Sequence, residues 1–280
     1  MTTPLDFVAV GHLTVDETPA GLRPGGSVLY AGLMAHRQGL PVGLLTSHGP
    51  DFPREVLPPD IEVVAVPAPA TTRFAIEYTP GGRTLALRAR AARLTPADLP
   101  ARFADATLAY LAPVADEVAP DLAAAFPESA VGVGAQGWCR RWDELGRVSV
   151  RPWPDPERVL RHAQALFLSE DDVAGWEAEA LRLYQLVPLG ALTCAARGAV
   201  LFVNGERYPV HPAPAVEVEP TGAGDVFAAA FLLRYNAGRD PEAAAAFAAV
   251  AGALTVEGEG IAGVPSREQL AARWRALQLR

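Results

Sequence analysis

The chain has 280 residues, half of them hydrophobic and one in five charged, which is enough apolar material for one large α/β domain. Its 24 basic and 32 acidic residues leave a formal net charge of -8, a poor balance for gripping nucleic acid or an anionic membrane face. No lysine occurs, so Walker-type, protein-kinase and Schiff-base lysines are excluded, and an anion site must use arginine, backbone N–H groups or a metal.

Taken in chain order, "DFVAVGH" is a short apolar run ended by glycine and predicts a buried strand. The run before it has no basic segment, and no apolar stretch reaches the ~18 residues of a membrane span. Cys139 and Cys194 stand far apart outside any C-x-x-C, so a cytoplasmic protein with reduced thiols is expected. "GGSVLYAGLMAHRQGL" predicts a helix burying Val28, Leu29, Leu33 and Leu40, with Gly39 near its C-terminal end. "PVGLLTSHG" and "IEVVAVPA" predict the next strands. The period then changes. "TTRFAIEYT" puts Phe74, Ile76 and Tyr78 on one face, "PGG" turns the chain, and "RTLALRARA" repeats the alternation. This hairpin interrupts a strand–helix series and is expected to stand off the main sheet.

Beyond it the alternation resumes. "ATLAYLAPV", "SAVGVGAQG", "ALFLSE", "ALTCAARG" and "AVLFVNGERYPV" predict strands, the last two stretches being the nucleotide-side candidates discussed below. "DEVAPDLAAAF", "PDPERVLRHA" and "DDVAGWEAEALRLYQLV" predict helices, and three more close the chain over 224–237, 241–256 and 266–277. The architecture expected is a single α/β domain over 1–280, mostly parallel sheet, with a small β lid contributed by about 71–90 and by 12–24.

The densest chemistry is "VEPTGAGDVFAAAFLLRY". Gly222, Ala223 and Gly224 offer successive backbone N–H groups with little bulk at a helix N-terminus, where the macrodipole favours an anion. Asp225 follows in the first turn, where a carboxylate can take a proton from a hydroxyl while the amides hold a transferring phosphoryl group. A glycine turn followed by a helix-stabilising aspartate is the plain alternative.

This stretch resembles the second signature of the ribokinase-like (PfkB) sugar kinase family, Asp-Thr/Pro-Thr-Gly-Ala-Gly-Asp, with Glu219 in place of the leading Asp. "VGHLTVDE" and "GGSVLYAGLMAHRQGLPVGLLTSHGPD" are similar to the family's first strand and its Gly-Gly helix. The resemblance implies a three-layer ribokinase-like fold and an ATP-dependent kinase acting on a hydroxyl of a small sugar or cyclitol. It implies Asp225 as base, 222–224 as the anion hole, and Asp16, Gly25 and Gly26 in the acceptor pocket, with His12 nearby. The family's Asn-x-x-Glu, which helps hold Mg²⁺ through water, falls on Ser169 and Asp172, so both of its defining residues are changed. Its Thr-x-Gly-x-x-Gly segment falls on Thr193 and Gly198, with Ala195 at the middle glycine, and Thr221 joins them on the nucleotide side. Arg140 or Arg141, after a strand end, is a candidate phosphate partner. "AQGWCRRWDELGRV" and the hairpin look like the inositol-kinase-like branch.

A monovalent cation is a further candidate cofactor, and the hairpin's apolar face suggests a homodimer through the lid. Two rival readings differ in class. A non-catalytic nucleotide or sugar sensor would explain the degraded motifs. A literal G-x-G-x-x-G at 132–137 raises an NAD-dependent oxidoreductase, against which stand the glycine and prolines where a crossover helix should run.

Overall fold

The computed structural model describes residues 4–79 and 82–278, with no side chains described at 77–79 and 82–83. Residues 80 and 81 of the Pro-Gly-Gly turn, and the side chain of Tyr78, lie outside that description. In chain order the elements are β1 (Phe7–Val10), β2 (Thr14–Thr18), β3 (Gly21–Gly25), α1 (Ser27–Arg37), β4 (Val42–His48), β5 (Glu62–Pro67), β6 (Thr72–Thr79) and β7 (Gly82–Ala89). There follow α2 (Ala101–Ala104), β8 (Leu108–Leu111), β9 (Ala130–Gly134), β10 (Arg140–Trp142), β11 (Val148–Val150), α3 (Glu157–Leu160), β12 (Ala165–Ser169) and α4 (Glu177–Leu183). The last are β13 (Leu189–Thr193), β14 (Ala199–Val203), β15 (Glu206–Val210), α5 (Ala223–Gly238), α6 (Pro241–Val256) and α7 (Arg267–Gln278).

Among the described residues, nine strands form one sheet in the order β15-β14-β13-β12-β9-β8-β1-β4-β5. From β13 to β5 every pairing is parallel; β14 and β15 are antiparallel additions at one edge. The central strands are apolar on both faces, as a sheet covered on both sides requires: Phe7, Val8, Ala9 and Val10 are all fully buried. One face packs under α1, α5 and α6 around Leu29, Phe167, Phe227 and Phe231, and the other under the α2–α4 side around Phe103, Leu122, Trp138 and Leu160. This is the α/β three-layer arrangement, and no helix among the described residues is long and apolar enough to cross a membrane.

A separate sheet in the order β3-β2-β6-β7 stands at the C-terminal end of the parallel strands. It combines the 72–89 hairpin with the 14–25 hairpin, so both expected lid segments enter it. Its apolar face finds cover within the chain. Phe74 and Ile76 pack on Val114 and Ala115, with Trp142 and Val148 of the β10–β11 hairpin against them.

Three of the helices expected from the sequence are shorter than expected. Proline 120 enters a 3-10 turn over Pro120–Ala125. The stretch before Ala165 has one α turn, Glu157–Leu160. The acidic run after β12 is also 3-10, Glu170–Val173, and α4 begins only at Glu177. Leu40, expected inside, is half-buried just past the end of α1. The three closing helices match their expected spans within two residues. β10 and β11 were not foreseen, because a three-residue pair carries too little alternation to register.

Candidate active site

The ends of the parallel strands, the lid sheet and the N-terminus of α5 enclose a cleft of about 740 Å³. Ligands collect at this end of such sheets because the strand termini and helix N-termini converge there.

The floor of the cleft is the entry to α5. Gly222 is its N-cap, in the left-handed region at φ 80. A Cβ there would lie 2.2 Å from the Tyr30 ring, so both the turn and the packing demand glycine. A Cβ on Gly224 would meet nothing within 4 Å, so its missing side chain leaves open space in the cleft instead of relieving a clash. Ala223 N donates to Pro220 O at 3.3 Å, and the Gly224 and Asp225 amides that follow it lie at the helix start on the border of the cleft. Thr221 Oγ1 is buried without a hydrogen-bond partner in the same loop. The loop itself is pinned. Val218 and Glu219 donate backbone N–H bonds to Val256 O, and Glu219 accepts from Gly260 N at 2.9 Å and from Arg23 Nη1 at 2.7 Å.

Asp225 lines the cleft, half-buried, from the first turn of α5. Burial raises its pKa to about 6; the Asp172 charge adds to the rise, while hydrogen bonds from Ser27 and Tyr110 and the charge of Arg140 pull the other way. Tyr110 donates to Asp225 Oδ1 at 3.4 Å, and burial, then the Asp225 charge, holds that phenol well above its ordinary range. A carboxylate with its pKa near 6 can accept a proton near neutral pH.

On the acceptor side, Asp16 faces the cleft from β2 and accepts from Thr14 Oγ1 at 3.1 Å. Gly26 lines the cleft at the start of α1. Gly25 stands behind Asp16, where a Cβ would lie 2.5 Å from Asp16 Oδ2; its smallness makes room for that carboxylate. His12 is displaced from the expected role. It is fully buried beneath the lid base and does not line the cleft: Nε2 meets Ala92 O at 2.7 Å and Nδ1 meets Thr72 Oγ1 at 2.6 Å. Both ring nitrogens hold loops together, which accounts for a histidine at a strand end. Arg140 does line the cleft, whereas Arg141 is exposed and bonds Ser149 Oγ.

On the donor side, Thr193, Gly198 and Thr221 all border the cleft. The glycine at 198 is demanded by packing, since a Cβ would lie 2.2 Å from Val210 O. Ala195 adopts φ 48, the left-handed conformation a glycine would take without strain. Beyond them Ala213, Pro214, Gly252, Ala253 and Val256 form a slot of small apolar groups. Ser169 and Asp172 also reach the cleft, locked in a reciprocal capping box: Ser169 N donates to Asp172 Oδ2 at 2.9 Å and Asp172 N donates to Ser169 Oγ at 3.3 Å, with Ser169 Oγ also donating to Asp172 Oδ2 at 2.7 Å. Asp171 and Asp172 supply oxygen donors suited to a hard divalent cation shared with donor phosphates. Among the described residues, no cluster of three His, Cys, Asp or Glu could hold a metal by itself.

Sequence reasoning missed Ser27 and Gln136, which line the cleft beside Asp225. Neither belongs to a recognisable spacing; only the fold brings the residue after Gly26 and the turn after β9 together. The G-x-G-x-x-G has a packing explanation. Added Cβ atoms would strike Leu232 at Gly132, the Tyr110 hydroxyl at Gly134 and the Pro113 backbone at Gly137. Its last three residues, Ala135–Gly137, form a 3-10 turn, and β10 comes next where a dinucleotide site would need a crossover helix.

Residues 151–267 match the pfkB family of carbohydrate kinases. The cytidine kinase of Thermococcus kodakarensis is 28% identical over 267 residues, covering 85% of this chain and 91% of that protein. A pyrophosphate-dependent kinase in the ribokinase family, solved with a pyrophosphate analog and myo-inositol, superposes with a TM-score of 0.79 at 21% identity, over 95% of this chain and 99% of that one. Arabidopsis thaliana ribokinase, solved with ribose and ATP, gives 0.75 at 19% identity, over 98% and 99%.

Proposed function

We propose that this chain, ribokinase-like in fold and matching the pfkB family of carbohydrate kinases over residues 151–267, transfers the γ-phosphoryl group of ATP to a hydroxyl of a small sugar or cyclitol, with Asp225 as the base. The observation that carries the reading is the joining of two features in one cleft: the amide-lined start of α5, with an orphaned Thr221 hydroxyl, and a carboxylate whose pKa is raised to about 6.

The acceptor lies between Asp16 and Asp225, where the Asp16 carboxylate pairs with neighbouring hydroxyls. Asp225 takes the proton of the attacking hydroxyl as that oxygen bonds to phosphorus. The N–H groups of 222–225 hold the equatorial oxygens of the transferring group, which moves to the acceptor as the bond to the ADP oxygen breaks. Asp171 and Asp172 would hold a Mg²⁺ ion, which would offset the donor's negative charge. The lid sheet, carrying Phe74 and Ile76, excludes water from the acceptor.

ATP is preferred to pyrophosphate as donor because the cleft continues past the amide nest into the small-residue apolar slot. A pyrophosphate leaves that slot without an occupant, whereas a planar nucleobase would pack against its small apolar groups. A second acceptor class follows from the roof. Phe74, Ile76, Leu85 and Val114 border the cleft at the acceptor end, and the face of a nucleoside base would pack against them.

Turnover measured with ATP and with pyrophosphate, across inositols, pentoses, hexoses and nucleosides, discriminates these readings. A sugar or cyclitol turned over with ATP supports the proposal, while exclusive use of nucleosides moves it to the second class. No turnover with any acceptor, together with ligand binding that Asp225→Asn leaves intact, makes the protein a sensor and overturns the enzyme reading.

A further inference from the structure

The base is held by a directional relay that the sequence does not announce. Arg140 Nη2 donates to Gln136 Oε1 at 2.7 Å, and its Nη1 donates to Val114 O at 3.0 Å. Gln136 Nε2 donates to Ser27 Oγ at 2.6 Å. Ser27, buried at 3 % exposure, hydrogen-bonds the Asp225 carboxylate. The chemistry of these groups fixes the direction. A guanidinium can only donate, so it claims the amide oxygen of Gln136 and turns the amide nitrogen toward Ser27. That N–H₂ occupies a lone pair of the Ser27 oxygen, which leaves its O–H to donate to Asp225. Arg140 also sits over the Phe74 ring of the lid strand, 5.7 Å from the ring centre, so the relay begins at the lid.

We propose that Gln136 and Arg140 are positioning residues that act through Ser27 to orient the Asp225 carboxylate for proton abstraction. The inference rests on the proposed phosphoryl transfer for its kinetic consequences, but the relay can be read without turnover. The charged and titratable groups around Asp225 are Asp172 from the turn after β12, Tyr110 from β8, Tyr30 from α1 and Arg140 from β10. Asp16 from β2 faces it across Tyr30, whose pKa is raised first by burial and then by the Glu219, Asp16 and Asp225 charges. Of these only Arg140 is cationic, and Gln136 and Ser27 bridge it to the base.

The test is a double-mutant cycle with Ser27→Ala and Gln136→Met, assayed for kcat, acceptor KM and pH profile. A hydrogen bond to a charged group is at stake, so Ser27→Ala lowers kcat at pH 7 by about ten- to a hundredfold. Gln136→Met acts in the same direction and moves the acidic limb to higher pH, because the Ser27 hydroxyl, no longer held by the amide, spends less time donating to the ionised Asp225. In the Ser27→Ala background Gln136→Met has no further effect on kcat, since its route to the base is already cut. Gln136→Glu, nearly the same size, reproduces the loss, because two acceptors then compete for the Ser27 proton. Multiplying effects with a raised acceptor KM and an unmoved pH profile would show that Gln136 touches substrate directly, and would overturn the proposal. So would a change in melting temperature with kinetics intact. Carboxyl ¹³C NMR of Asp225 in the ligand-free protein separates this from the functional reading. If no acceptor is phosphorylated but the Asp225 titration still shifts upward in Gln136→Met, the kinase reading fails and the relay stands. An unshifted titration sinks the relay alone.

Discussion

At the scale of single residues, the site trades stability for function, and the trade can be measured at Asp225. Its folded pKa of about 6 lies above the value of an unfolded aspartate. A raised acid contributes stability that is fully present below the unfolded pKa and is lost as pH rises through the folded value. At pH 8 the ionised carboxylate therefore weighs on the fold, by about 1–2 kcal/mol once water reaching it through the cleft is allowed for. Asp225→Asn should raise the melting temperature at pH 8 and change it little at pH 4, while removing most turnover; calorimetry at the two pH values checks the first and single-turnover kinetics the second. In the parent protein kcat/KM should fall as pH drops below about 6, the base being protonated there. Ala195 offers a simpler test of strain. It holds φ 48 without a glycine's freedom, so Ala195→Gly should stabilise the protein by about 0.5–1 kcal/mol in chemical denaturation.

At the scale of elements, the question is how a lid strand and a phosphate loop keep register. Arg23 on β3 pairs with Glu219 at 2.7 Å and reaches Glu259 at 3.3 Å, tying the lid sheet to the segment that enters α5. The Glu219 side chain is well covered, and its second contact is the Gly260 amide, so the tie is less screened than a surface pair. Arg23→Ala should cost about 0.5–1 kcal/mol globally but speed amide exchange selectively over 21–25 and 219–224, read by hydrogen-exchange mass spectrometry. Uniform acceleration across the sheet would show that the pair has no local role. The elements also show where sequence reading succeeds. The three closing helices carry sixteen or twelve residues each, long enough for period and caps to speak, and the glycine turn before α5 announces itself by composition. The short 3-10 turns and the β10–β11 pair do not, because three or four residues hold no period and their geometry is set by what they pack on. His12 was misplaced for a related reason: nearness in sequence to a strand end does not say which side of that end a side chain enters, and the partners that took it, Ala92 and Thr72, lie far along the chain. Ser27 and Gln136 are 109 positions apart and meet only in the fold.

At the scale of the whole molecule, acceptor end, amide nest and donor slot are segments of one continuous cleft, and each is built from different parts of the chain. The lid and α1 supply the acceptor end, the start of α5 supplies the nest, and α6 with the 212–217 segment supplies the slot. On the proposed function, donor and acceptor affinities should therefore be separable by substitution, even with both ligands at Asp225. Gly252 on α6 is the place to try. A Cβ there would meet only Ala223 O, at 3.6 Å, so a first methyl is accommodated and a longer side chain projects into the slot. Gly252→Leu would fill space that a nucleobase needs, and the lost burial of a planar ring corresponds to about 1–3 kcal/mol. The KM for ATP should then rise about tenfold or more while the acceptor KM stays within about twofold. Pyrophosphate, if it serves as a weak donor, should be unaffected or improved relative to ATP. Equal losses with both donors would mean that the slot is not where the nucleotide lies. Circular dichroism and an unchanged denaturation slope in Gly252→Leu would establish that the fold survived the substitution, leaving the donor kinetics to decide what the slot was shaped to hold.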